Sequence, residues 1–293
     1  MATNQGQSLW GDAWRRLRKN RVALLCLGLV VLFTLLAIYG EVVYRYHDFK
    51  DITPAYQKTN LDLKFMAPSF THWMGTDGLG RDVMMRLIQG VTIAYKVGII
   101  TSLIAIPIGV FFGCLAGFYG GKVDDFVVWL YSTFASMPGL LFILAIAMVV
   151  GKGLLGIYLG IGLTTWVGIC RLVRGEVIKH KSQTYVQAAQ ALGLSSGRII
   201  FKHILPNISH VIIVTFTLRF PAAVGTEVFL SFLGIGVQDQ PSWGLMINSA
   251  RMRLWQGMWW EMTFVTLAVF LLVLAFNLLG DALRDALDPR LND

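Results

Sequence analysis

The sequence predicts an all-α integral membrane protein with six membrane-crossing helices, on three observations. Only 14% of its 293 residues are charged, against roughly 25% in an average soluble domain. Six separate runs are apolar over the roughly 20 residues that a helix needs to cross the hydrocarbon core. These runs are continuous rather than alternating, which speaks against a closed barrel.

The first run, 22–43, follows a basic segment and carries no small-residue cleavage site, so it reads as an uncleaved anchor. The others are 95–118, 126–150, 154–174, 208–235 and 260–280. Lys96 stands near the start of the second, and Arg219 and Glu227 interrupt the fifth. The net charge of +8 is spread in short pieces between apolar runs. That distribution suits lipid headgroups and membrane topology rather than a nucleic-acid face. Cys26, Cys114 and Cys170 all lie inside apolar runs without metal-ligand spacing and read as small apolar fillers.

Orientation follows from Lys and Arg. Arg15, Arg16, Arg18, Lys19 and Arg21 precede the first run, opposed only by Asp12. Arg171, Arg174, Lys179, Lys181, Arg198 and Lys202 follow the fourth, opposed by Glu176. An even number of spans places both groups on one side, and the positive-inside rule makes it the cytoplasm. The chain then divides into a cytoplasmic segment 1–21, a first helix 22–43, an extracytoplasmic loop 44–94, a five-helix core 95–280 with a cytoplasmic loop 175–207, and a cytoplasmic tail 281–293. In the outer loop, Arg81 and Asp82 read as a helix-start pair, and Asp48 and Asp51 as a solvated stretch. Trp255, Trp259 and Trp260 are expected at the outer interface.

The long cytoplasmic loop contains "YVQAAQALGLSSGRIIFKHILPN", Tyr185 to Asn207. Thr184 and Gln187 have capping-box spacing. A short helix follows, Tyr185 to Leu192, which Gly193 ends in the left-handed position. Ser195 or Ser196 can cap a second helix, with Ile199, Ile200, His203 and Ile204 on one face, and Pro206 stops it. Helices under about 12 residues are marginal in water, so something must cover the isoleucine face. Lipid headgroups, the protein's own spans and a soluble partner with a matching groove all meet that need, and the residues alone do not choose among them.

"QAAQALG", nine further residues and the closing "LP" of "HILPN" resemble the signature loop of ABC-importer permeases, E-A-A, three residues, G, nine residues, I-x-L-P. Gln187 replaces the usual Glu, which removes the charge that a salt bridge would need, and His203 stands where Ile is general. Five further stretches resemble the second permease subunit of the oligopeptide/dipeptide branch: "LWGDAWRRLRKNRVAL", "GTDGLGRDVMMRLIQG", "GFYGGKVDD", "SFLGIGV" with "PSWG", and "FNLLGDALRDALDPRL" (Phe276–Leu291).

The resemblance implies the type I ABC importer permease fold, with six helices and a coupling helix. It also implies half of a heterodimer with a sister permease, two cytoplasmic ATPases that use ATP and Mg²⁺, an extracytoplasmic binding protein, and a place in the bacterial inner membrane. The solute it implies is an oligopeptide or dipeptide, with nickel or another small solute as the alternative. Gln187, Ala188, Ala189, Gly193, Ile199, Ile200, His203, Leu205 and Pro206 are then the ATPase-coupling residues.

The chain carries no phosphate-cradling loop of its own: in "GFYGGKVD" Val123 follows Gly121-Lys122, and the first glycine is misplaced. No zinc-protease, hydrolase or metal-site motif appears, so the chain is expected neither to be an enzyme nor to bind a cofactor. A membrane enzyme and a scaffold are the weaker classes. An ion-coupled secondary transporter would use ionisable groups at mid-membrane, and Glu227 and Arg219 are its candidates. They stand eight residues apart, about 12 Å along a helix, so they do not pair directly. For an importer they are expected to line the pathway or meet the sister subunit, and Pro221 between them to bend the span.

Overall fold

The computed structural model describes residues 9–287 as helices joined by short turns, with no strand among them. Residues 1–8 and 288–293 lie outside the described residues, so parts of both terminal segments and the end of the Phe276–Leu291 motif are not placed. The helices are α1 (Leu9–Lys19), α2 (Arg21–Phe49), α3 (Val83–Tyr119), α4 (Gly121–Ala135), α5 (Gly139–Val150), α6 (Leu154–Thr164) and α7 (Trp166–Lys181). There follow α8 (Thr184–Ala191), α9 (Ser196–Ile199), α10 (Leu205–Asn207), α11 (Ser209–Phe232), α12 (Trp243–Arg251) and α13 (Trp260–Leu287).

Among the described residues, five helical runs are long and apolar enough to cross a membrane: α2, α3, α6 with α7, α11 and α13. The expected third span is not straight. α4 and α5 meet at 85°, so they form one broken span or a re-entrant hairpin. The break falls at Ser136–Pro138, and proline cannot donate the amide that would carry a helix across it.

α3 is 37 residues long and starts twelve residues before the expected boundary at 95. Asp82 is its N-cap, the carboxylate accepting from the Met85 amide at 3.0 Å. Val83, Leu87, Val91 and Ala94 are all buried in the core, so tertiary packing carries the helix past its purely apolar part. The connecting segment therefore runs only from 50 to 82. α12, absent from the sequence reading, is capped by Ser242, whose side chain accepts from the Leu245 amide.

α3 and α7 pack together through small residues. Gly109, Gly113 and Gly117 lie on one stripe of α3, four residues apart. A Cβ at Gly109 would meet the Ile169 side chain, and Cβ atoms at Gly113 and Gly117 would meet Val173 and Val177. Without a hydrophobic drive between spans in lipid, such close approach is what holds them together. α11 stays continuous through Pro221. All three cysteines are buried and free, as expected of fillers. The bundle has two dissimilar ends: a cap end, built from residues 50–82 and 233–259, and a loop end, built from residues 182–208.

Candidate functional site

At the loop end, α8 runs Thr184–Ala191 and ends in a full Schellman turn. The Leu194 amide bonds the Ala189 carbonyl at 3.2 Å and the Gly193 amide the Gln190 carbonyl at 2.9 Å. Gly193 has φ +74°, the left-handed conformation expected of it, and a Cβ there would meet nothing. The capping box does not form. Thr184 is inside the helix, Gln183 is the cap residue, and the exposed Gln187 side chain donates to the Ser182 carbonyl at 3.3 Å. The helix starts one residue earlier than the spacing implied, which moves Thr184 out of the capping position.

The isoleucine face is covered by the chain itself. Ile199, Ile200 and Ile204 are buried with Ala189, Val186, Val173, Val177 and Phe118. This corrects their expected place at a partner's groove: they and Ala189 form the base on which the loop sits. The stretch Ile200–Ile204 is one π-turn, with the Leu205 amide bonding the Ile200 carbonyl. His203 and Leu205 are half-buried beside it and Pro206 is exposed. What faces outward is Gln187, Ala188, Leu192 and Gly193, joined by Phe201. Leu192 is 81% exposed and Phe201 68%, large apolar side chains that sequence periodicity did not single out. Three residues beyond Ala189, Leu192 would share the buried face by helical spacing, but it is the residue that closes α8 before the left-handed Gly193.

Tyr185 ties this loop to both flanking spans. Its hydroxyl meets His180 Nδ1 at 2.8 Å, on the last turn of α7, and the side chain of Asn207, at the end of α10 just ahead of the fifth span, lies beside it. Asn207 in turn donates to the His203 carbonyl at 2.6 Å. Arg174 pairs with Asp124 at 2.5 Å, binding α7 to α4.

Arg219 sits deeper. Its Nη1 donates to the Thr165 carbonyl at 2.6 Å and its Nη2 to the Thr165 hydroxyl at 2.5 Å. Thr165 is the break between α6 and α7, so Arg219 supplies donors to groups that the interrupted helix leaves short. Glu227 is 1% exposed. It accepts from Ser231 Oγ at 2.6 Å, with Ser242 beside it, while Ser231 Oγ accepts the Val237 amide. Both charges therefore have neighbours within the chain: Arg219 clasps span four to span five, and Glu227 knots α11 to the cap.

At the cap end, Asp77 is buried between Arg81 Nη2 at 2.7 Å and Arg86 Nη1 at 3.2 Å. Burial alone would raise its pKa, but bonds from Arg81 and Leu79 and the charge of Arg86 hold it below the usual carboxylate range. Glu261 pairs with Arg253 at 3.3 Å, and Arg253 lies over the Phe65 ring. Asp82 meets His72 Nδ1 at 2.8 Å, so Arg81 and Asp82 serve different partners rather than each other. Trp260 is only 8% exposed and donates to the Thr76 carbonyl at 3.1 Å, so it is a packing element and not the interfacial anchor expected. Trp255 is 95% exposed.

Residues 109–293 match the family described as binding-protein-dependent transport system inner membrane component, and residues 8–68 match the N-terminal TM domain of oligopeptide transport permease C. The dipeptide transport system permease protein DppC of Bacillus subtilis is 39% identical over 281 residues, 96% of this chain and 85% of that protein. The oligopeptide transport system permease protein OppC of the same organism is 39% identical over 285 residues, 97% of this chain and 90% of that one. The glutathione transport system permease protein GsiD of Pectobacterium atrosepticum is 35% identical over 283 residues, 96% and 91%. Among solved structures, the inward-facing MetNI methionine ABC transporter aligns with a TM-score of 0.55 at 19% identity, covering 70% of this chain and 97% of that chain. That likeness bears on the fold alone.

Proposed function

Because the chain belongs to the family of binding-protein-dependent transport system inner membrane components, with the permease fold of an ABC importer, we propose that it forms half of a peptide-conducting pore and is driven through its 182–208 loop. The sister half is a homologous permease. Two ATPases dock at the loop end, where they bind ATP and Mg²⁺, and a binding protein delivers peptide at the cap end. The loop end is cytoplasmic, on the strength of its Lys and Arg, and the membrane is the bacterial inner membrane.

One observation carries this reading. The loop exposes Leu192, Gly193 and Phe201 while Tyr185 holds it to His180 of span four and lies beside Asn207, just ahead of span five. A force applied to that surface reaches both spans, and Arg219 joins the same two spans again at Thr165. Rigid-body movement of such a pair is the gating step expected for alternating access. Gln187, Ala188, Leu192, Gly193 and Phe201 form the docking face. Ala189, Ile199, Ile200, His203, Leu205 and Pro206 act beneath it as the support.

Peptide is favoured as the solute because the permeases of dipeptide, oligopeptide and glutathione systems resemble this chain over nearly its whole length. Reconstitution of the chain with its sister permease, ATPases and binding protein in proteoliposomes tests the proposal. ATP-dependent uptake of labelled dipeptide is expected, and none should occur if any one component is omitted. Uptake of peptide by this chain alone, driven by a proton or sodium gradient, would refute it.

A further inference from the structure

A cavity of ≈ 400 Å³ lies at the cap end, between the last turn of α2, residues 51–57 and Asp239–Gln240. Tyr44, His47, Asp48, Asp51, Tyr56 and Asp239 line it. Its size is in the range of small-molecule sites. Among the described residues no His, Cys, Asp or Glu cluster could hold a metal ion, so the three carboxylates surround a space rather than converge on a point.

Tyr56 is the second observation. The residue is only 4% exposed, and its hydroxyl has no hydrogen-bond partner. Burial pushes its pKa up to about 12, and Tyr44, Asp239 and Asp48 add to the effect, so the hydroxyl stays neutral within reach of those charges. Buried hydroxyls are nearly always partnered, and an open one beside an acidic cavity points to a missing guest. His47 donates from Nδ1 to the Val43 carbonyl at 2.7 Å. Nearby cations are engaged: Lys96 pairs with Glu41 at 2.5 Å, and Lys50 lies over the Tyr46 ring. The lining thus offers carboxylates, a hydroxyl and aromatic rings. An alkylammonium, with three donors and no acceptor, matches it.

We propose that this cavity is a receiving subsite for the free α-ammonium group of a peptide entering the pore. The inference rests on the peptide-importer reading and adds a location and a chemical class to it. Asp48, Asp51 and Asp239 provide the opposite charge, the Tyr56 hydroxyl accepts one ammonium hydrogen, and the rest of the cavity takes the first residue of the peptide.

The test uses the complete importer in nanodiscs and a photoreactive dipeptide, alanyl-photoleucine, beside its N-acetylated form. Cross-links of the free-amine probe are expected at residues 44–57 and 239–240, and the acetylated probe should give none there. Losing a charged hydrogen bond costs about tenfold in affinity, so Asp48→Asn with Asp239→Asn should cut labelling by at least that factor. Tyr56→Phe, which preserves the ring, should cut it about threefold. Both variants should co-purify with the partner subunits at normal yield, since the two aspartates are exposed. Equal labelling by both probes, or no change in the variants, overturns the subsite while wild-type peptide uptake leaves the importer reading standing. Unchanged labelling together with loss of binding-protein-stimulated ATP hydrolysis assigns the cavity to a lysine of the delivery protein instead. Absence of any peptide uptake by the wild-type importer overturns both.

Discussion

The cap end closes on itself through charge. Asp77 joins Arg81 and Arg86, Glu261 joins Arg253, Glu227 holds Ser231, and Trp260 and Trp243 donate to backbone carbonyls at 3.1 Å and 3.2 Å. The loop end is held mainly by apolar packing of Ile199, Ile200 and Ile204, with Tyr185 as its polar fastening. It then turns large apolar side chains outward. Buried ionic lattices are strong against loss of a member but give little when intact, because desolvation offsets most of the attraction. Apolar seating tolerates small shifts and leaves a surface for another protein. The cap end is therefore built as a fixed frame and the loop end as a contact that transmits force.

The largest effect should come from breaking the frame. Asp77→Ala removes the anion that faces Arg86 and strands that guanidinium in the core. Breaking a buried pair in this way costs roughly 3–5 kcal/mol, and thermal unfolding of the purified importer should register it, with yield falling in parallel. An Asp77→Ala importer as stable as the wild type would show that the cap is not ionically framed. Acid should do the same more gently. The folded-state pKa of Asp77 lies below its unfolded value, so its contribution is complete above the usual carboxylate range and is lost as pH falls through the depressed value. Melting scans at stepped pH should show the Asp77-dependent difference constant near neutrality and shrinking only on the acid side of pH ~4.

Next comes the loop. Gly193→Asp forces a side chain into the left-handed conformation at about 1 kcal/mol and sets a charge on the docking face. No neighbour within the chain crowds that position, so insertion and span packing should be unaffected. Association with the ATPases should fall about a hundredfold and uptake should vanish. Normal uptake at normal membrane level would remove this loop from the coupling role. Leu192→Ala and Phe201→Ala truncate apolar groups that are exposed in the single chain, and each should weaken ATPase binding by about tenfold. Their thermal stability should barely move, whereas Ile199→Ala, in the seat, should lower it by about 2–5 kcal/mol. That reversal between affinity and stability is the sharpest test of the division between face and seat.

Much of this was legible from sequence, because lipid makes the rules strict. Long apolar runs gave five spans and the bent α4–α5 pair, and Gly193 turned the loop where it should, whereas Pro206 sits inside α10, which continues to Asn207 instead of stopping there. The missing parts depend on contacts between distant residues. Nothing near Tyr185 announces that its hydroxyl will meet His180 beside Asn207, and nothing near Arg219 announces Thr165. The isoleucine face was visible as a stripe, but a stripe does not say what covers it. The cap's ion pairs were hidden for another reason: Arg81 was read with Asp82 as a helix-start pair, Asp77 and Arg86 drew no reading, and only the unexpectedly early start of α3 buries Arg86.

The smallest expected effect separates sequence motif from structural work. Gln187 occupies the position where the family signature has Glu; its spacing from Thr184 made it a candidate for a cap, while its neutral amide removed the charge that a salt bridge would need. In the folded chain its side chain is exposed and makes one bond of 3.3 Å to the Ser182 carbonyl, and no capping box surrounds it. An exposed neutral hydrogen bond of that length contributes about 0.5 kcal/mol or less. Gln187→Ala should therefore leave melting and ATPase co-purification within error, and uptake within about twofold. Gln187→Glu adds a charge to the docking face beside the backbone corner at Gly193. If the ATPase groove offers a cation there, this variant should bind more tightly, with an increment that disappears in high salt. A Gln187→Ala importer as defective as Gly193→Asp would mean that the amide itself is read by the ATPase, and that the docking face is polar at its centre rather than apolar.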